Sequence, residues 1–223
     1  MKLLFATGNA GKLQEAREIL GAGYTVLSPA DVGLAGFDVD ETGSTFRENS
    51  LLKASALWRA CGIPCFADDS GLEVDALGGA PGIYSARYAS DHNFSSNIDR
   101  LLSELTALSP DPAGAPAPQL QHRGCDVPKG ERLRTFPGAA RFRCVVTLIR
   151  GDGKPYFFDG SCEGSIARER HGEGGFGYDP VFVPDLYPDL TMAELSEQQK
   201  NAISHRGVAL RLMAAWLAAN PSY

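Results

Sequence analysis

The apolar run Leu3-Leu4-Phe5-Ala6, followed at once by Thr7-Gly8-Asn9 and then by apolar residues at helical spacing, constrains this chain more than any other feature. The run is too short for a buried helix and reads as a short buried strand. Thr7-Gly8-Asn9 is turn chemistry, and Asn9 is a good N-cap. Leu13, Ala16 and Leu20 then recur at three- and four-residue intervals, and Gly21 stands where a helix ends in left-handed backbone. A strand that passes through a tight glycine turn into a helix opens an α/β fold.

The alternation continues. Thr45-Phe46-Arg47-Glu48 is a capping box, in which the hydroxyl and the carboxylate each satisfy a free backbone N–H. Leu51, Ala54, Leu57 and Trp58 supply the apolar face of the helix it opens, and Gly62 stops it. Residues 63–67 form another short strand leading to Asp68-Asp69-Ser70-Gly71, where Ser70-Gly71 predicts that the strand ends. Residues 95–105 read as a helix through Ile98, Leu101, Leu102 and Leu105. Periodicity then lapses: residues 107–138 hold six of the chain's 14 prolines, with Gly114, Gly124, Gly130 and Gly138, and read as a surface loop too short for a domain. Residues 141–149 and 156–159, joined by Gly151-Asp152-Gly153, predict a hairpin, so the sheet is expected to be mixed. A glycine-rich loop at 174–180 runs into Val181-Phe182-Val183. A further capping box, Thr191 to Glu194, predicts a helix start. Ser204 caps the last helix, with Val208, Leu212, Ala215, Trp216 and Ala219 as its core stripe.

With 223 residues, 43% of them hydrophobic and 22% charged, the chain is expected to be a single domain over 1–223, with 107–138 as an insertion. A net charge of -6 disfavours a nucleic-acid polymer as partner, since tracking a phosphate backbone needs a broad positive surface. No apolar run approaches the roughly 20 residues that span a bilayer, and no basic, apolar and cleavage regions follow Met1, so neither a membrane segment nor a signal peptide is expected. Five scattered cysteines, including Cys61 and Cys65, read as buried thiols in a reducing compartment, the cytoplasm, rather than as a disulfide framework.

Five segments carry candidate chemistry. Thr7-Gly8-Asn9-Ala10-Gly11-Lys12 reads either as a phosphate cradle at a helix N-terminus or as a capped helix with an exposed lysine; its glycine-to-lysine spacing is not that of a Walker loop. Asp68-Asp69 places two carboxylates side by side, which raises one pKa unless a cation intervenes; magnesium suits the pair, and an exposed turn is the alternative. Glu41 offers a third carboxylate, and Asn49 and Lys53 share a helix face that is either functional or merely solvated. Phe176 and Tyr178 flank Gly177, so an aromatic could stack on a base with Asp179 accepting from it, or both rings could be core. Ser204-His205-Arg206 puts a basic pair at a helix start, against the dipole, with Lys200 shortly before.

Six blocks in order resemble the inosine triphosphate pyrophosphatase family, whose members act on noncanonical purine nucleotides. They are Ala6-Thr7-Gly8-Asn9 with Lys12; Glu41-Thr42-Gly43 with Thr45-Phe46, Glu48-Asn49 and Leu52-Lys53-Ala54; Ala67-Asp68-Asp69-Ser70-Gly71-Leu72; Pro81-Gly82-Ile83-Tyr84-Ser85-Ala86-Arg87; Gly175-Phe176-Gly177-Tyr178-Asp179-Pro180; and Ser204-His205-Arg206-Gly207. The resemblance implies an α/β fold with an elongated mixed sheet flanked by helices, two lobes and a central cleft. It further implies a homodimer, Mg2+, and hydrolysis of ITP, dITP or XTP to monophosphate and pyrophosphate. On that footing the metal lies at Glu41 with Asp68 or Asp69, and Asp69 is the general base, with Lys53 beside it as the second catalytic residue. Thr7, Gly8, Asn9, Ala10, Gly11, Lys12, Asn49, Ser70 and Lys200 then bind the substrate, with the triphosphate among Thr7 to Lys12, Lys53 and Lys200. Phe176, Asp179, His205 and Arg206 are assigned to the base, Gly177 and Tyr178 to substrate binding, and Arg206→Ala is expected to erase a preference for ITP over ATP. The 107–138 loop is longer than the family usually carries. A pyrophosphatase for other modified nucleotides, or a non-catalytic nucleotide sensor, is the competing reading.

Overall fold

The computed structural model describes residues 1–110 and 133–221. Among the described residues six strands and five α-helices follow in the order β1 (Lys2–Phe5), α1 (Ala10–Leu20), β2 (Thr25–Leu27), α2 (Phe46–Cys61), β3 (Cys65–Val74), α3 (Phe94–Leu108), β4 (Ala140–Ile149), β5 (Pro155–Ile166), β6 (Phe182–Pro184), α4 (Glu197–Ile203) and α5 (His205–Ala219). The sheet order is β2-β1-β3-β4-β5-β6. β1 is parallel to β2 and to β3, while β5 and β6 are antiparallel, so the sheet is mixed as expected. Among the described residues no helix is long and apolar enough to cross a membrane. Most of the predicted proline-rich loop, 111–132, lies outside the described residues.

The chain divides into two compact units, the first comprising Met1–Gly71, Arg143–Ser161 and Asn201–Tyr223, the second Leu72–Phe142 and Cys162–Lys200. In the first unit, β1 is apolar at every inward position because helices cover both its faces. Leu3 and Phe5 join Phe66 of β3, Cys144, Val146 and Leu148 of β4, Ala16 and Leu20 of α1, and Ala209, Leu210, Met213 and Leu217 of α5. Leu4 and Ala6 point the other way, with Cys65 and Ala67 of β3 against Ala54 and Leu57 of α2. Each large side chain so buried contributes roughly 1.5–3 kcal/mol. A hydrogen bond of 2.6 Å between the buried hydroxyls of Ser50 and Thr147 fixes α2 against β4.

α5 lies so close to β5 that only glycine fits at position 160: a Cβ there would stand 2.1 Å from the His205 carbonyl oxygen and 2.8 Å from the Ala209 nitrogen. Backbone cannot move aside as a side chain can. Gly160→Ala is therefore expected to cost about 1–3 kcal/mol, read as a lowered urea midpoint; an unchanged midpoint would refute this account of the packing.

In the second unit, α3 buries Asn97, Ile98, Leu101 and Leu105. Phe142 of β4 meets Phe182 of β6 with ring centroids 4.5 Å apart. Gly82–Arg87, within one of the family-like blocks, is a 3₁₀ turn. Its Ser85 hydroxyl accepts from the Leu72 N–H and donates to the Gly82 carbonyl.

Three local expectations are corrected. β3 does not stop at Ser70-Gly71 but runs on to Val74, because Gly71 and Leu72 are buried within it and the ladder continues. The box at Thr191–Glu194 forms, yet it closes only a 3₁₀ turn, Met192–Glu194, and the helix proper begins at Glu197. The buried stripe of α5 is Ala209, Leu210, Met213 and Leu217, whereas Leu212 is 49% exposed. A helix apolar nearly all round carries too weak a periodicity to fix the phase of its buried face.

Candidate functional site

The N-terminus of α1 is built as its residues require. Asn9 caps it, accepting from the Lys12 N–H at 3.0 Å, while the Asn9 N–H donates to the Thr7 hydroxyl at 3.1 Å. Gly8, Ala10 and Gly11 are exposed, and nothing lies within 4 Å of a Cβ placed on Gly8, so a ligand can approach this turn closely. Lys12 reaches sideways, its Nζ 3.1 Å from Asp68 Oδ1.

Continuation of β3 through the aspartate pair decides which partners each one meets. Successive strand residues point to opposite faces. Phe66 belongs to the α1–α5 face and Ala67 to the α2 face. Asp68 therefore faces α1 and α5, and Asp69 faces α2. The contacts follow: Asp68 is held by Lys12 of α1 and by Arg206 Nε of α5 at 2.9 Å. Asp69 takes the Asn49 amide at 3.1 Å and lies 3.4 Å from Lys53 Nζ, both from α2. Lys53 also donates to Glu41 at 2.6 Å. Thr45 starts α2 as predicted, but Glu48 reaches back to the Ser44 N–H and hydroxyl rather than to Thr45.

Arg206 is 1% exposed. Beyond Asp68 its guanidinium donates to the Ser70 hydroxyl at 3.1 Å and to the Glu15 carboxylate. Glu15 also accepts from Ser204, whose hydroxyl caps α5 by accepting from the Gly207 N–H. The sequence reading missed Glu15. Its signal was spacing: Glu15 follows Lys12 by three residues, hence on the same helix face, beside the core position Ala16.

Four carboxylates (Glu15, Glu41, Asp68, Asp69) thus meet three cations (Lys12, Lys53, Arg206), one negative charge in excess. The two aspartates part electrostatically. Burial alone would push the Asp68 carboxyl up, but Lys12, Arg206 and Lys53 outweigh it and hold it well below the usual carboxylate range. At Asp69 burial prevails: with Lys53 lowering and Glu41 raising, the net shift is upward. Burial disfavours the Lys53 ammonium, but Asp69, Asp68 and Glu41 more than compensate, and it remains charged.

Among the described residues no three His, Cys, Asp or Glu side chains form a ready-made metal cage. Magnesium does not need one, because it takes one or two carboxylates and completes its shell with water and substrate phosphate. Glu41 and Asp69 already converge on one cationic centre, the Lys53 ammonium, through hard oxygen donors. That donor set fits magnesium.

The glycine-rich loop of the second unit forms its own cluster. Asp179, 3% exposed, accepts from the Phe176 N–H at 2.8 Å and from Lys200 at 2.6 Å. Lys200 also sits 4.5 Å from the Phe176 ring centroid, a cation–π distance. Gly175 has φ +73°, and a Cβ there would fall 2.1 Å from Asp179 Oδ2, so glycine is required on both counts. Tyr178 is instead a core residue, 2% exposed, its hydroxyl donating to the Ser85 carbonyl at 3.0 Å. His205, 7% exposed, opens α5 in the first unit. The structure thus brings Lys12, Glu41, Asn49, Lys53, Asp68, Asp69, Ser70 and Arg206 together in the first unit, and Phe176, Asp179 and Lys200 in the second.

The Ham1 family model matches residues 3–117 and 130–216. The dITP/XTP pyrophosphatase of Thioalkalivibrio sulfidiphilus is 43% identical over 217 residues, 96% of each chain. That of Porphyromonas gingivalis is 42% identical over 217 residues, 97% of each chain. Among solved structures, the Ham1 protein of Staphylococcus aureus is similar with a TM-score of 0.77 and 38% identity, covering 99% of this chain and 100% of that one. A HAM1 protein from Coxiella burnetii is similar with a TM-score of 0.76 and 34% identity, covering 98% and 99%.

Proposed function

The chain belongs to the Ham1 family, and from that premise we propose that it hydrolyses dITP, XTP and ITP to the monophosphate and pyrophosphate, clearing noncanonical purines from the nucleotide pool. The observation that carries the chemistry is the divergence of Asp68 and Asp69 on a continuous β3, which gives two adjacent carboxylates different partners.

Attack of water on a phosphate needs a positioned base and neutralised oxygens. Asp69 is assigned the proton, and the Asn49 amide holds its Oδ2 in place. Lys12, in the first turn of α1, and Lys53, in the middle of α2, supply positive charge for the triphosphate, and the exposed residues Gly8, Ala10 and Gly11 line its approach. Glu41 and Asp69, with Asp68 behind them, would hold magnesium, which when bound withdraws charge from the phosphate oxygens. Ser70 and Arg206 brace Asp68. Phe176, Gly177 and Asp179 of the second unit are assigned to the purine ring; the ring of Phe176 offers a stacking face and Asp179 an acceptor. Donors matched to an oxygen at purine position six would reject the amino group of adenine. Action as a homodimer rests on the family resemblance, and residence in the cytoplasm is supported by the free thiols Cys61, Cys65, Cys144 and Cys162.

Pyrophosphate release from dITP, XTP, ITP, GTP and ATP, with magnesium and with excess chelator, tests this. The expected result is fast release from the first three, little from ATP or GTP, and none under chelation. Tight ITP binding with no release would leave a nucleotide sensor on the same fold.

A further inference from the structure

Every candidate metal ligand of the first unit already carries a cation. Both oxygens of Asp68 are occupied, Oδ1 by Lys12 and Oδ2 by Arg206. Asp69 has the Asn49 amide on Oδ2 and Lys53 on Oδ1, and Glu41 has Lys53 at 2.6 Å. Of these cations, Arg206 is 1% exposed and locked by three partners, whereas Lys53 is 13% exposed at its side chain and ends in a compact charge on a flexible stem.

We infer that Lys53 is the resident counter-cation of the Glu41–Asp69 pair, so that free divalent metal is kept out until a triphosphate draws the ammonium away. The inference rests on the metal-dependent reading above and adds an order of loading to it. A divalent ion placed between Glu41 and Asp69 while Lys53 stays there would set three positive charges against two carboxylates at contact distance, where Coulomb energies are large even at an effective dielectric constant near 20. Moving the ammonium off without a new anion would strand a buried charge. A triphosphate removes both obstacles, because its oxygens accept Lys53 as the metal takes the carboxylates. Metal and nucleotide then load together, and the empty enzyme does not hold metal.

Calorimetric titration of Mn2+ alone, without nucleotide, into the wild type and into Lys53→Met tests the inference. The wild type is expected to bind weakly, and Lys53→Met about tenfold more tightly or better, the neutral side chain filling similar space. Tight binding by the wild type, or no gain in Lys53→Met, overturns it. If Lys53→Met is unfolded when metal-free, its melting is followed with and without Mn2+. Restoration of the fold by Mn2+ supports the inference, since the ion then replaces the ammonium; failure at every concentration overturns it, since Lys53 would then be a strut no metal can replace. Wild-type pyrophosphate release is measured in parallel. Release without metal sinks the metal-dependent reading itself, whereas tight free-metal binding beside metal-dependent release sinks only the role given to Lys53.

Discussion

Asp69→Asn is expected to lower kcat by about 10²–10⁴-fold, the usual range for a lost general base, while leaving the protein as stable as before. The two halves of that expectation have separate causes. Asparagine keeps the shape of aspartate and can present its amide oxygen to Asn49, whose amide now meets Asp69 Oδ2 at 3.1 Å. It also removes a buried charge whose proton affinity is raised chiefly by burial, so the fold gains in desolvation what it loses in attraction to Lys53. What asparagine cannot do is take a proton from water. Assay at saturating magnesium separates this from weakened metal binding, because a defect of metal affinity alone disappears there. Near wild-type turnover would remove Asp69 from the role of base, and a large drop in the urea midpoint would show that the carboxylate is structural.

Legibility in the sequence followed the strength of local signals. The opening strand, Asn9, Thr45 and Ser204 each coincide with a cap or a run whose physics is confined to a few residues, and all appear where spacing placed them. The course of β3 was misread because Ser70-Gly71 is turn-like locally, while the ladder that carries the strand through it comes from distant residues. That error mattered for the site: only a continuing strand sends Asp68 and Asp69 to opposite faces, and only then do their partners sort by helix. The phase of α5 is illegible for a different reason, since Val208, Leu212 and Ala215 are as apolar as Leu210, Met213 and Leu217, which turn inward, while Trp216 of the expected stripe does pack against the core. Glu15 escaped because a carboxylate on a helix face is ordinarily solvated, and nothing local announces an arginine nearly two hundred residues away. Tyr178 shows the converse, a polar aromatic in a functional-looking loop whose ring is core and whose hydroxyl has a backbone partner.

The cluster's excess of one carboxylate also explains why its most buried cation should be the least replaceable. Arg206→Ala is expected to destabilise the protein by about 3–5 kcal/mol, the cost of leaving buried carboxylates without their partner. Against a typical total of roughly 5–15 kcal/mol, that is enough to lower the urea midpoint sharply. Asp68 and Glu15, 1% and 6% exposed, would keep the hydrogen bonds of Lys12 and Ser204 respectively. Arg206→Lys should recover part of the loss, since it restores the charge but not the fork that reaches Asp68, Glu15 and Ser70 together. Glu15→Gln combined with Arg206→Ala should cost less than the two single changes added, because each alone strands the other. The resemblance assigns Arg206 to the purine; we propose instead that a guanidinium so enclosed positions Asp68. The ratio of ITP to ATP hydrolysis in the surviving folded Arg206→Ala protein is therefore expected to hold while turnover falls on both. A ratio that collapses toward one, in protein that keeps its wild-type midpoint, would put Arg206 back at the base and make Lys12 the chief support of Asp68.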